Sequence, residues 1–293
     1  MKTALIFSGQ GSQFAGMGKK LIELYPQALQ TLIQANQILG FDIAEVMQHG
    51  TDEDLKATEV TQPAIFLYSV ITFQNATPPA FEAVAGHSLG EFSALVAAGA
   101  LSFEEGLELV SIRAKSMQAA CTANPSTMAA VLGLEDYVVE QTLAKIHNEI
   151  VVAANFNSPG QVVISGSYAG IEAATELLKT AGAKRVVPLP VGGAFHSPLM
   201  AIAQDALSKG INKANLRQPN VPIYQNLTGE PNQEIEAIKD NLKKQLVSSV
   251  RWTRTIENMA ANGFTNFIEV GPGNVLQGLV KKISREAITS SLV

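Results

Sequence analysis

A serine set between glycines, Gly86-His87-Ser88-Leu89-Gly90, fits the G-x-S-x-G pattern of a nucleophile elbow. There a strand stops, the chain turns sharply and a helix begins, lifting the serine to where a substrate can reach it. The flanks agree. Phe81-Glu82-Ala83-Val84-Ala85 reads as a buried strand, and 91–98 has helical apolar spacing. Glycine on either side avoids side chains that would crowd the turn. The bland alternative is a glycine-bounded turn with a capping serine. A nucleophilic serine also needs a base to take its proton. Of four histidines, His49 and His147 fall at polar helix ends, and His87, next to the serine, should point away from it. His196 sits in the small-residue loop Gly192-Gly193-Ala194-Phe195-His196-Ser197-Pro198, just before a helix, and is the expected base. No Asp or Glu between Ser88 and His196 stands at an obvious strand end. A dyad whose imidazole is held by a neutral acceptor is therefore expected instead of a triad.

Two further residues could shape the chemistry. Arg113 shares its side of a predicted helix with Leu109, Ile112, Ser116 and Met117. An arginine on such a face must meet an anion or snorkel out, and a fixed guanidinium can hold a carboxylate with two parallel hydrogen bonds. Gln10 lies in the Gly-rich loop Ser8-Gly9-Gln10-Gly11-Ser12-Gln13. That loop lacks both the Walker lysine and dinucleotide spacing. Its backbone N–H suits an oxyanion hole better, paired with that of Leu89, the residue after the serine.

These groups need a frame. The chain has 293 residues, 46% hydrophobic and 16% charged, enough to bury a sizeable core. A net charge of -5 with scattered basic residues argues against nucleic-acid binding. One cysteine, Cys121, excludes disulfide and cysteine-rich metal frameworks. The apolar start is too short for a signal peptide or membrane span, so a cytoplasmic protein is expected. Along the chain, a strand at 4–7 precedes helices at 18–38, 41–49 and 64–74, the last with Pro63 in its first turn. After the elbow comes a helix at 103–120, N-capped by Ser102. Residues 127–189 read βαββαβ, the ferredoxin-like order. The reading is an α/β protein: an α/β-hydrolase-like large subdomain with a parallel sheet, from 1–124 and 193–293, with a ferredoxin-like subdomain, 125–192, inserted. The return segment reads as a helix at 198–209, a strand at 222–226, helices at 232–246 and 253–262 and a strand at 266–270, and Gly271-Pro272-Gly273 opens a last helix.

Together, Gly9 to Gln13, Thr61-Gln62-Pro63-Ala64, Gly86 to Glu91, Arg113, Ala154 to Gln161, Ala194 to Ser197 and Glu269 to Gly273 resemble the malonyl-CoA:acyl carrier protein transacylases and the acyltransferase domains of polyketide and fatty acid synthases. The resemblance spans nearly the whole chain. It implies that Ser88 is acylated, that His196 is its base, and that Arg113 binds the malonyl carboxylate. It implies further that Gln10 and Leu89 form the oxyanion hole, and that Met117, Phe195 and Gln62 belong to the substrate site. A main-chain carbonyl in Ser249-Val250-Arg251-Trp252, assigned to Arg251, is expected to orient His196. Two departures are a serine, Ser8, for a common proline, and Arg251 where many members carry glutamine. The Phe195-His196 pair matches a malonyl-selective pattern.

By that resemblance the partners are malonyl-CoA and acyl carrier protein, with no metal or other cofactor, no membrane and a monomeric chain. The expected reaction is ping-pong malonyl transfer supplying fatty acid biosynthesis. A free-standing polyketide acyltransferase, a hydrolase using the same dyad and a non-catalytic carrier-binding module remain open.

Overall fold

The computed structural model describes residues 1–293. The first segment runs β1 (Lys2–Phe7), α1 (Met17–Leu24), α2 (Ala28–Leu39), α3 (Ile43–His49), α4 (Thr58–Asn75), β2 (Ala83–Gly86), α5 (Gly90–Ala97) and α6 (Phe103–Ala123). Then come β3 (Ser126–Leu132), α7 (Asp136–Leu143), β4 (Val151–Ser158), β5 (Gln161–Ser167), α8 (Tyr168–Thr180) and β6 (Arg185–Pro188). The chain continues through α9 (Ala201–Lys213), β7 (Ile223–Tyr224), β8 (Pro231–Asn232), α10 (Ile235–Gln245), α11 (Trp252–Ala261), β9 (Phe264–Val270), α12 (Val275–Ile283) and β10 (Ile288–Ser291).

Six strands form the larger sheet in the order β10-β9-β1-β2-β7-β8. All its pairings are parallel except β7–β8. Alternation along β1 divides the core. Leu5 and Phe7 join the apolar cluster under α1 to α6, α9 and α10, whereas Ala4 and Ile6 join the cluster under α11 and α12. A parallel sheet must be covered on both faces, and the two clusters supply that cover. Phe7 pairs with Gly86 on one side and Val270 on the other. The carboxyl ends of three neighbouring strands are therefore level, and the loops at 8–12, 87–89 and 271–274 leave from one edge. Ligands of open α/β sheets bind at such an edge.

The α/β architecture matches the expected class. The second sheet is antiparallel in the order β4-β5-β3-β6, with the first and third strands of the βαββαβ unit at its centre. It is stitched to the larger sheet's surroundings along β4. The Phe156 N–H donates to the Val250 carbonyl at 2.9 Å and the Val250 N–H to Ala154 at 2.8 Å.

Local differences from the expected elements have local causes. The helix expected at 18–38 is two, because Pro26 forces Tyr25 into an extended conformation. The helix expected to open around Pro63 begins earlier, at Thr58, with Pro63 inside it. The proline deprives only the Glu59 carbonyl of a helical donor, and Glu59 is exposed at the helix start. The edge strands β8 and β10 were not anticipated. They are short and mostly solvent-facing, so no alternation marks them.

Candidate active site

The elbow is built by backbone crowding. A Cβ on Gly86 would collide with the Gly90 backbone, and one on Gly90 with the Phe7 carbonyl. Ser88 sits between them at φ 52°, in the left-handed region. A non-glycine residue there is strained by about 1–2 kcal/mol, and the surroundings hold it in place. The Ser88 N–H donates to Asn226 Oδ1 at 2.6 Å, and the Ser88 carbonyl accepts from Gln245 Nε2 at 3.0 Å. The hydroxyl Oγ lies 2.7 Å from His196 Nε2 and accepts from Arg113 Nη2 at 2.9 Å.

His196 is the other non-glycine residue at positive φ, 57°. The loop between β6 and α9 carries it, secured by the Ser197 hydroxyl, which donates to the Ala194 carbonyl at 2.6 Å and accepts from the Leu199 N–H. Its Nδ1 donates to the carbonyl of Gln245 at 2.9 Å and lies 3.2 Å from that of Ser248. A proton on Nδ1 leaves the Nε2 lone pair facing Ser88. The acceptor is thus not the expected carbonyl of Arg251. The last turn of α10 ends at Gln245, where carbonyls run out of helical donors, and that end abuts the imidazole. Arg251 opens α11 instead. Its N–H donates to the Asn226 carbonyl, and its guanidinium lies 5.7 Å from the centre of the Phe156 ring. Burial, reinforced by the Arg113 charge, pushes the His196 imidazole down to about 3. The residue is therefore a neutral acceptor at physiological pH.

Arg113 lies mid-way along α6, whose start is fixed by a reciprocal cap. The Ser102 hydroxyl accepts from the Glu105 N–H at 3.1 Å, and the Glu105 carboxylate from the Ser102 N–H at 2.8 Å. The guanidinium is buried, 1% exposed. Nη1 donates to Gln62 Oε1 at 2.7 Å, and Nη2 reaches Gln245 Oε1 at 3.2 Å besides Ser88. Nε has no partner, and no carboxylate lies within 4.0 Å of the group. Burial pushes it down to about 9, opposed by Glu91, so it stays cationic at neutral pH. A buried cation held only by neutral acceptors is a ready receptor for an anion.

A cavity of about 170 Å³ lies over these groups, lined by Gln10, Ser88, Arg113, Met117, Phe195 and His196 among others. Gln62 lies behind the lining. It holds Arg113 and donates to Met117 Sδ at 3.3 Å. The N–H groups of Gln10 and Leu89 donate to no other protein group, as oxyanion donors must. The Gln10 loop is anchored from below by buried Glu269. This carboxylate accepts from Ser8 Oγ and from the Leu276 and Gln277 N–H groups that open α12. His87 turns away from the serine, to Asn157 Oδ1 at 2.8 Å.

The sequence left three contributors unassigned: Gln245, Asn226 and Glu91. Each is a lone polar residue whose meaning comes from partners far along the chain, so spacing carried no signal. Asn155 and Asn157 also reach the cavity. Their alternate positions on β4 point both to one face, a signal the strand period could have supplied.

The chain matches the family described as "Acyl transferase domain" over residues 4–292. It is 42% identical to the malonyl CoA-acyl carrier protein transacylase of Bacillus subtilis (strain 168), over 98% of this chain and 92% of that protein. Its fold superposes with a TM-score of 0.95 on the malonyl CoA-acyl carrier protein transacylase of Coxiella burnetii, 38% identical, covering 100% and 94% of the two chains. A malonyl-transacylase solved in complex with its type II polyketide acyl-carrier protein superposes at 0.93, 37% identical, covering 99% and 95%. Full-length similarity, with the same fold around a serine elbow, places this chain in the malonyl CoA-acyl carrier protein transacylase family of acyltransferases.

Proposed function

We propose that the protein moves malonyl from malonyl-CoA to the phosphopantetheine thiol of an acyl carrier protein through an ester on Ser88. The observation that carries this reading is the buried Arg113 guanidinium, without a carboxylate partner, 2.9 Å from Ser88 Oγ. It selects an acyl group that bears its own carboxylate.

His196 Nε2 takes the Ser88 proton as Oγ attacks the thioester carbonyl. The Gln10 and Leu89 amides stabilise the tetrahedral oxyanion. Collapse breaks the C–S bond, and the coenzyme A thiolate leaves with the proton from His196. The carrier's thiol then gives its proton to His196 and attacks the Ser88 ester, and Ser88 departs with that proton. Arg113 holds the malonyl carboxylate throughout, with Met117 and Phe195 as apolar walls. No metal or redox group takes part, and coenzyme A enters only as part of the substrate. We place the enzyme in the cytoplasm as a monomer supplying fatty acid synthesis. A free-standing polyketide role would use the same site. No helix is long and apolar enough to cross a membrane.

The test isolates malonyl-enzyme and divides it between water and holo-carrier protein. Carrier acylation is expected to outrun hydrolysis by roughly a hundredfold or more, about 3 kcal/mol of barrier. Rapid release to water without carrier acylation would instead make the protein a hydrolase.

The depressed His196 sets a pH dependence. Its value falls from 6.5 to about 3 on folding. Between those values the unfolded chain binds a proton the folded one does not, so stability from this group is lost as pH falls through that window. The acylation rate, kcat/KM against pH, should show no imidazole limb near 6.5. A limb at the ordinary value would mean that His196 is solvated in the working enzyme.

A further inference from the structure

Glu91 follows the elbow on α5 and is 1% exposed, yet the mechanism above gives it no task. Burial holds its carboxyl above the usual carboxylate range, against the opposing pull of three donors and the Arg113 charge. Gln225 Nε2 reaches Oε1 at 3.0 Å, while the Asn226 N–H and Gln245 Nε2 reach Oε2 at 3.0 Å and 2.9 Å. Three N–H donors converging on two oxygens favour a carboxylate, which only accepts. Two of the donor residues continue to the reacting groups. Asn226 brackets the elbow, with Oδ1 on the Ser88 N–H and Nδ2 on the Gly86 carbonyl at 2.6 Å. Gln245 touches the Ser88 carbonyl and Arg113.

We propose that Glu91 is a positioning residue that sets the acyl preference by fixing the amide orientation of Gln245, so that Gln245 turns its oxygen to Arg113. This rests on Arg113 being the carboxylate receptor. Gln245 Nε2 donates both to Glu91 Oε2 and to the Ser88 carbonyl. A flipped amide would set its oxygen against two acceptors, so only one orientation is stable. That orientation leaves Oε1 for Arg113, 3.2 Å away. With Gln62 Oε1 on the other terminal nitrogen, the guanidinium is aimed from both ends.

Glutamine at position 91 breaks this logic in only one of its two orientations. If its NH2 faces Gln245, that amide must flip and present a donor to a cation. If its NH2 faces Gln225, that amide flips instead, losing its Oε1 contacts with Asn241 and Asn232, and Gln245 keeps its hold on Arg113. Either way a buried donor or acceptor is mismatched. The hold on Asn226 affects every acyl group alike, so it cancels in a ratio of two donors. The hold on Arg113 does not cancel.

The experiment measures single-turnover acylation of Ser88 by malonyl-CoA and by acetyl-CoA, each rate divided by the acylatable fraction from intact mass. Glu91→Met, which offers Gln245 no carbonyl or carboxylate acceptor in any orientation, is expected to lower the malonyl-to-acetyl ratio by roughly tenfold or more, since small misplacements of a positioning group carry such costs. Gln245→Met keeps the carbonyl that holds His196 but removes the amide. It should lower the ratio comparably, and the double variant should fall no further than Gln245→Met alone. Loss of folded active fraction alone would leave the ratio untouched. Should Glu91→Met not accumulate as folded protein, Glu91→Asp, with its oxygens withdrawn by one methylene, is expected to lower the same ratio. An unchanged ratio in the Glu91 variant, or additive effects in the double variant, overturns the proposal. Arg113→Ala runs beside them. If it lowers the ratio and the Glu91 variant does not, only the present inference fails. If it does not, the reading of Arg113 as receptor fails.

Discussion

Arg113→Ala is expected to cost malonyl transfer roughly two orders of magnitude or more, while acetyl-CoA becomes the better donor. Breaking a buried charge pair by removing one partner costs about 3–5 kcal/mol, because the other charge is left uncompensated. Here the stranded charge would be the malonyl carboxylate, in a cavity whose walls include Met117 and Phe195. A neutral acetyl group has no such charge to strand, and it gains the space the guanidinium vacates. The variant should also change the pH profile. Arg113 is the second cause, after burial, of the low His196 value, so its removal moves the acid limb toward the ordinary imidazole range. Initial rates with both donors between pH 4 and pH 8, normalised to acylatable enzyme, check both effects. An equal fall for malonyl and acetyl would mean that Arg113 holds the elbow but does not read the substrate.

Ser88→Ala should abolish the malonyl adduct and reduce transfer by roughly 10⁴–10⁶-fold, the range seen when a nucleophile acting as one unit with its base is removed. The elbow should survive. The Ser88 N–H and carbonyl bonds are made by the backbone, and alanine meets the same strain at φ 52°. Intact mass after malonyl-CoA treatment reads the adduct, and a carrier acylation assay reads the rate. A malonyl adduct persisting in Ser88→Ala would place the acyl group elsewhere in the cavity. A normal transfer rate without an adduct would replace the two-step route with direct thiol-to-thiol exchange.

Residues whose meaning is local were legible before any fold was known. The elbow announces itself because glycine is required on both sides of one tight turn, and the strand and helix beside it follow from their own periodicities. The Ser102 cap of α6 is a bond between residues three apart, so it too could be read directly. Arg113 stood out because a charge on an apolar helix face contradicts its surroundings. The acceptor for His196 was misread for the opposite reason. A main-chain carbonyl has no residue-type signature, and only the packing of α10 against the 192–198 loop selects Gln245 over Arg251. Glu91 likewise sits next to the motif yet gives no sign of its role, since its partners Gln225, Asn226 and Gln245 lie more than a hundred positions away.

The chain alone therefore determined the α/β class, the inserted βαββαβ unit, and the kinds of group present: a turned-out serine, an imidazole, a guanidinium on an apolar helix face and the backbone amides of a glycine-rich loop. Hydrophobic period and turn chemistry act over a few residues and so are written in short stretches. Only the tertiary structure decided which of these groups meet and at what distance. The level strand ends bring 8–12, 87–89 and 271–274 to one edge. The end of α10 turns the imidazole toward Ser88, and burial in that shared interior makes the histidine neutral while the arginine stays charged. Orientation and desolvation are properties of packed surroundings, and no single segment of the chain carries them.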